Sequence, residues 1–196
     1  MSAIRGIMGS MKPDPLSIKG DTMNEEPQSM SMDQLLAAND AAWDRLRSLV
    51  ARHPESELIT AHDPAGWTSK DHLAHLAAWE RGMLHVLRDG WPQWQGMGID
   101  AALFAAMETD GYDRINEAIR QANLDRPVGD VLIELGELHD AMHAVIRGLG
   151  EAGLDRPVSD FRHDDTDLLV RRWIPGDTCD HYDEHRGYIA VILGDV

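Results

Sequence analysis

Four stretches of this chain repeat apolar residues at helical spacing, and no stretch alternates them as a half-buried strand would. That pattern restricts the fold to packed helices. The first stretch opens at Ser31, where Ser31 and Gln34 make the signature of a capping box. Met32, Leu35, Leu36, Asn39, Ala42, Trp43, Leu46, Leu49 and Val50 then follow the helical period until Pro54. Thr68 and Asp71 cap the second stretch in the same way, with Leu73, Leu76, Trp79, Met83, Leu84 and Leu87 as its stripe and Gly90 and Pro92 as its end. The third follows Pro127, presents Val131, Leu135, Leu138, Met142, Val145 and Leu149, and finishes at Gly150 and Gly153. Pro175 and Gly176 introduce the last helix, expected over about 177–193.

The spacing of these helices sets the topology. A loop through Pro64 and Gly66 joins the first two, whereas residues 91–128 form an insertion with short helices at 100–107 and 112–122. The expected fold is all-α: a four-helix bundle with a long crossover and a helical insertion between helices two and three. The phrase LDRPVGD at 124–130 nearly recurs as LDRPVSD at 154–160. Two copies fall short of a repeat architecture and read as similar loops flanking helix three. Residues 1–29 carry no apolar period and contain Pro13, Pro15, Gly20 and Pro27. They read as a disordered leader, with the folded domain over 30–196.

Charge narrows the function. A net charge of −16 argues against a nucleic-acid groove and against docking on an anionic membrane. No apolar run approaches the ~20 residues that span a bilayer, and residues 1–12 lack the apolar core of a secretory signal. The lone Cys179 excludes an internal disulfide framework and a cysteine-rich zinc site. The expectation is a cytoplasmic protein.

The chemistry-bearing residues are histidines. His181 and His185 lie four apart on the last helix, so both rings leave one face and can share an ion. His75, on the second helix, is the candidate third ligand. His139 and His143 repeat the spacing on helix three and compete with that pair. Measured against the Leu138–Met142–Leu149 stripe, His143 is rotated well outward and His139 sits at the margin, which predicts a solvated or flanking role. Thr178, His181, His185, Tyr188 and Ile192 share a stripe expected to face the interior, with Cys179 on nearly the opposite side, where an ordinary surface or packed thiol is expected. Three neutral imidazoles suit Zn, Ni or Fe and leave positions for water or substrate. Asp71, Asp177 and Glu184 are placed to act as outer partners of the ligands.

The run from Gly66 through Asp71-His72-Leu73-Ala74-His75 to Trp79-Glu80, with His181-Tyr182-Asp183-Glu184-His185, resembles helices two and four of the DinB/YfiT-like four-helix-bundle superfamily. The chain is most similar to the branch called the ClbS/DfsB family, over about residues 30–195. The resemblance implies metal ligation by His75, His181 and His185. Relatives include thiol-dependent S-transferases and a mycothiol-dependent maleylpyruvate isomerase. A colibactin self-resistance protein in the superfamily acts without an established metal. Two functions follow as expectations. One is a metalloenzyme, a hydrolase or thiol S-transferase, that activates water or a low-molecular-weight thiol against a small electrophilic substrate, with Trp79 and Tyr188 as pocket walls. The other is a metal-independent small-molecule-binding or self-resistance protein. Neither implies nucleic acid or membrane as a partner, and a homodimer is left open.

Overall fold

Both capping boxes form. In the computed structural model, which describes residues 30–162 and 166–195, the Ser31 hydroxyl accepts from the Gln34 amide and the Gln34 side chain accepts from the Ser31 amide. Helix α1, Met32–Val50, starts there. The Thr68–Asp71 box starts α3, Ser69–Asp89, after a short α2, Glu55–Thr60, in what reads as loop. Pro54 precedes α2 and fixes an extended entry, so one turn and a half forms where the sequence offers no apolar stripe. The leader expected over 1–29 lies outside the described residues.

The insertion contains four short helices: α4 Gln93–Met97, α5 Ala101–Ala105, α6 Met107–Asp110 and α7 Asp113–Ala122. The two expected segments correspond to α5 to α7, and α4 is the addition. It docks through glycines: a Cβ on Gly96 would stand 2.8 Å from the Arg81 carbonyl and 2.9 Å from the Gly82 Cα. Arg81 secures the approach by donating to the Gly96 carbonyl (2.5 Å) and to Glu134. Trp79, Ala78, Met97, Ile115 and Ile119 then make a small second core between α3 and the insertion.

Helix α8 runs Val128–Leu154 and departs from helical geometry at Gly150 (φ 61°, ψ −176°), as its glycines predict. Short helices α9, Ser159–Arg162, and α10, Val170–Trp173, and a 3-10 turn, Ile174–Asp177, lead to α11, Cys179–Leu193. The last helix therefore starts two residues later than expected, because the Pro175 turn closes before it. The four long helices form a ring in which α3 packs on α8, α8 on α1, α1 on α11 and α11 on α3. Leu35, Leu46, Leu73, Leu76, Leu135, Met142, Tyr182 and Ile189 fill its centre. Among the described residues there is no named strand, only isolated bridges pairing His62 with Thr68 and Pro157 with Leu169. No helix among them is long and apolar enough to cross a membrane.

The first described residues are clamped. Arg171, 6 % exposed, donates to the Met30 carbonyl (2.7 Å) and pairs with Glu151 (2.9 Å) and Asp155 (2.7 Å). Glu151 in turn accepts from the Met32 amide at 2.8 Å.

Candidate metal centre

The side-by-side packing of α3 and α11 brings His75 to His181 and His185. His75 Nε2 lies 3.0 Å from His181 Nε2, and one ring nitrogen from each of the three residues falls within 4.8 Å of the others. Ring centroids of His75 and His185 are 4.6 Å apart, and those of His181 and His185 4.7 Å. All three residues are at most 1 % exposed. Ligands bonded to one zinc ion at about 2.0–2.1 Å lie roughly 3.3 Å apart in a tetrahedron, so this donor set fits a divalent ion.

A fourth histidine orients the third. His72 Nδ1 is 2.9 Å from His185 Nδ1, and His72 Nε2 faces the Asp63 carboxylate at 3.5 Å. Burial pushes the His72 pKa down to about 4, against the pull of Asp63, so the ring is neutral at pH 7. A neutral His72 with its proton toward Asp63 has Nδ1 free to accept. His185 Nδ1 then carries the hydrogen, and His185 Nε2 presents its lone pair for ligation. Asp63 reaches this place because its other oxygen accepts from the amides of Ala65 (2.8 Å) and Trp67 (2.9 Å), shaping the turn before α3. The same turn delivers Trp67, whose ring stands 5.3 Å from His72 and 5.7 Å from His75. His72, Asp63 and Trp67 received no role from the sequence. The i,i+3 spacing of His72 and His75, with Asp63-Pro64 upstream, was the available signal.

The expected pocket residues differ in placement. Tyr188 stacks on His72 at 5.6 Å, meets His185 edge-on at 5.5 Å, and is 39 % exposed. The stripe expected to face inward thus leaves the interior at Tyr188, because the core side of α11 follows Tyr182, His185 and Ile189 instead. Trp79 is buried, 6.1 Å from the His75 ring, and donates from Nε1 to Asn116 of α7. It contacts the centre and the insertion together.

Asp71 completes the Thr68 cap, and Glu184 accepts from the Tyr188 hydroxyl at 3.0 Å. Asp177 is buried near Glu80, whose carboxyl accepts from the Tyr182 hydroxyl. Burial raises the Glu80 pKa to about 8. Cys179 packs in the core as one of its expected alternatives, and burial raises its thiol to about 11.

The outward placement expected of His139 and His143 is corrected: they are 5 % and 6 % exposed. Helix α8 is covered by both α3 and α1, so its buried arc is wider than the single leucine stripe. Two cavities, of about 320 and 390 Å³, lie against α1; the first is lined by Trp43, Val50, Leu58 and Leu132, the second by Arg45, Arg52 and Arg186.

The sequence profile described as the DinB superfamily matches residues 38–189. No curated protein matches the chain by sequence. Solved structures share the fold at low identity. The colibactin self-resistance protein ClbS, in complex with a dsDNA, is 14 % identical with a TM-score of 0.66, covering 87 % of this chain and 99 % of that one. A protein from Streptococcus pneumoniae is 17 % identical with a TM-score of 0.63, covering 85 % and 92 %. An uncharacterised protein from Escherichia coli is 16 % identical with a TM-score of 0.62, covering 84 % and 94 %.

Proposed function

This chain belongs to the DinB superfamily, and on that premise we propose that it is a divalent-metal-dependent enzyme acting on a small electrophilic substrate. The observation that carries the reading is the 3.0 Å approach of His75 Nε2 to His181 Nε2, with His185 beside them, in a site closed to water. These three histidines would hold Zn, Ni or Fe. When bound, such an ion is a Lewis acid that lowers the pKa of water or of a low-molecular-weight thiol.

The chain's own residues prepare that chemistry. Asp63 and His72 fix the tautomer and plane of His185. Trp67 and Tyr188 lie over the imidazoles and exclude bulk water, which strengthens every charge interaction inside. Tyr188, half-exposed and hydrogen-bonded to Glu184 on its own helix, is the side chain whose movement admits a substrate. Cys179 is unsuited as nucleophile, since a thiol raised to about 11 is almost wholly protonated at neutral pH. A thiol nucleophile would therefore come from solution.

The fold likeness to ClbS favours a second reading, a metal-independent small-molecule-binding or self-resistance protein. The ClbS structure contains a dsDNA, whereas the net charge of −16 argues against such a partner for this chain. Elemental analysis of protein purified without a metal-affinity tag separates the readings. The enzyme reading expects bound ion that falls by one equivalent per chain on His75→Ala or His181→Ala. Wild-type protein that binds no divalent ion at those residues, even after dialysis against zinc, sinks it in favour of the second.

A further inference from the structure

On the seam opposite the three-histidine centre, between α1 and α8, three more donor groups meet. Asp40 Oδ1 lies 3.2 Å from His139 Nε2 and 3.4 Å from His143 Nε2. The two rings stand one turn apart with centroids at 4.5 Å. Trp43 of α1 stacks on His139 at 5.5 Å and fixes the plane of that ring. We propose that Asp40, His139 and His143 form a second site for a divalent transition-metal ion, of the zinc or nickel kind, open to solvent on its outer side.

Hydrogen bonding alone does not account for the arrangement. One carboxylate oxygen faces two imidazole nitrogens, yet only His139 Nε2 bonds to it with hydrogen-bond geometry. His143 Nε2 is buried, aimed at the same oxygen, and makes no hydrogen bond. A shared ion satisfies all three atoms. Ligands held at about 2.0–2.1 Å by one tetrahedral ion are roughly 3.3 Å apart, and both oxygen–nitrogen distances match that separation.

The surroundings suit a cation. Burial holds both histidines below their ordinary pKa, so both are neutral at pH 7 and need release no proton to ligate. Asp140 adds negative charge beside both rings, and Arg147 opposes it at His143 alone. A two-imidazole, one-carboxylate set selects first-row transition ions over calcium or magnesium. The Asp40 side chain is 59 % exposed, so the remaining coordination positions point to water. Because its ligands come from α1 and α8, the ion cross-links those helices and stabilises the bundle by mass action.

The test counts ions. Metal-stripped full-length protein is titrated with Co2+, with cobalt per chain measured after dialysis and the d–d spectrum recorded. Wild type takes up two ions per chain, and Asp40→Ala or His143→Ala takes up one. The doubly substituted H75A/H181A protein also takes up one, and loses it when Asp40→Ala is added. Asp40→Asn preserves the shape of the side chain and serves as a second variant. An unchanged count in D40A and D40N, or no Asp40-dependent ion in H75A/H181A protein, overturns the site. A count that is indifferent to H75A/H181A but falls in D40A fails the three-histidine reading and leaves this one standing.

Discussion

Tyr182 donates its hydroxyl hydrogen to Glu80 at the centre of the bundle, where both residues are fully buried. Burial raises the Glu80 pKa from the usual carboxylate range to about 8. Between about 4.5 and about 8, then, the folded chain keeps a proton that the unfolded chain has lost. The stability this contributes is fully present below that window and disappears as pH rises through it. Glu80→Gln keeps a neutral acceptor for Tyr182, so denaturant unfolding of the variant should show a flatter profile from pH 5 to 8. Identical slopes in variant and wild type would contradict a buried, protonated Glu80.

His72 touches no proposed ion, yet it fixes the ring that does. His72→Ala should weaken binding at the three-histidine centre roughly 10–100-fold, the usual effect of removing an outer partner. Asp63→Asn should follow in the same direction with a smaller loss. Competition against a chelator of known affinity reads both. Unchanged affinity in H72A would remove the orienting role.

Tyr188 covers His72 and His185 from the solvent side. Tyr188→Ala should speed removal of the ion by excess chelator while leaving its equilibrium affinity nearly unchanged. A stopped-flow measurement decides this. If the off-rate does not move, entry lies elsewhere, and Trp67→Ala becomes the informative variant.

Gly96 meets the backbone of α3 at distances no Cβ tolerates. Gly96→Ala should cost about 1–3 kcal/mol by overpacking. Chemical denaturation measures the loss, and a change below ~0.5 kcal/mol would show that α4 is loosely docked.

Arg171 clamps Met30 and Glu151, at the first described residues. Deleting residues 1–29 should therefore shift Tm by no more than a few degrees, whereas Arg171→Ala should lower it further. A large drop on truncation alone would mean that residues 1–29 pack on the bundle.

The helices were readable because their signals are local. Ser31 with Gln34, and Thr68 with Asp71, announce two starts, and the leucine stripes announce the buried faces. His181 and His185 share a face through spacing alone. What escaped depends on chain brought from far away. His139 meets Asp40 across 99 residues and lies under Trp43, so the stripe on its own helix could not show its burial. His72 gains its meaning from the turn at Asp63, and Trp79 from Asn116 in the insertion. An amphipathic stripe identifies the most buried line of a helix, and α8 packs against two long helices, α3 and α1, rather than one.

The pairing of α3 with α11 also has a consequence for biosynthesis. His75 waits 106 residues for His181, and α11 follows the other three long helices of the bundle. At about 5–20 residues per second, several seconds of synthesis separate His75 from His181. An ion at the three-histidine centre therefore cannot template the early bundle. Ion capture there becomes a late checkpoint, available only to chains in which α11 has docked on α3.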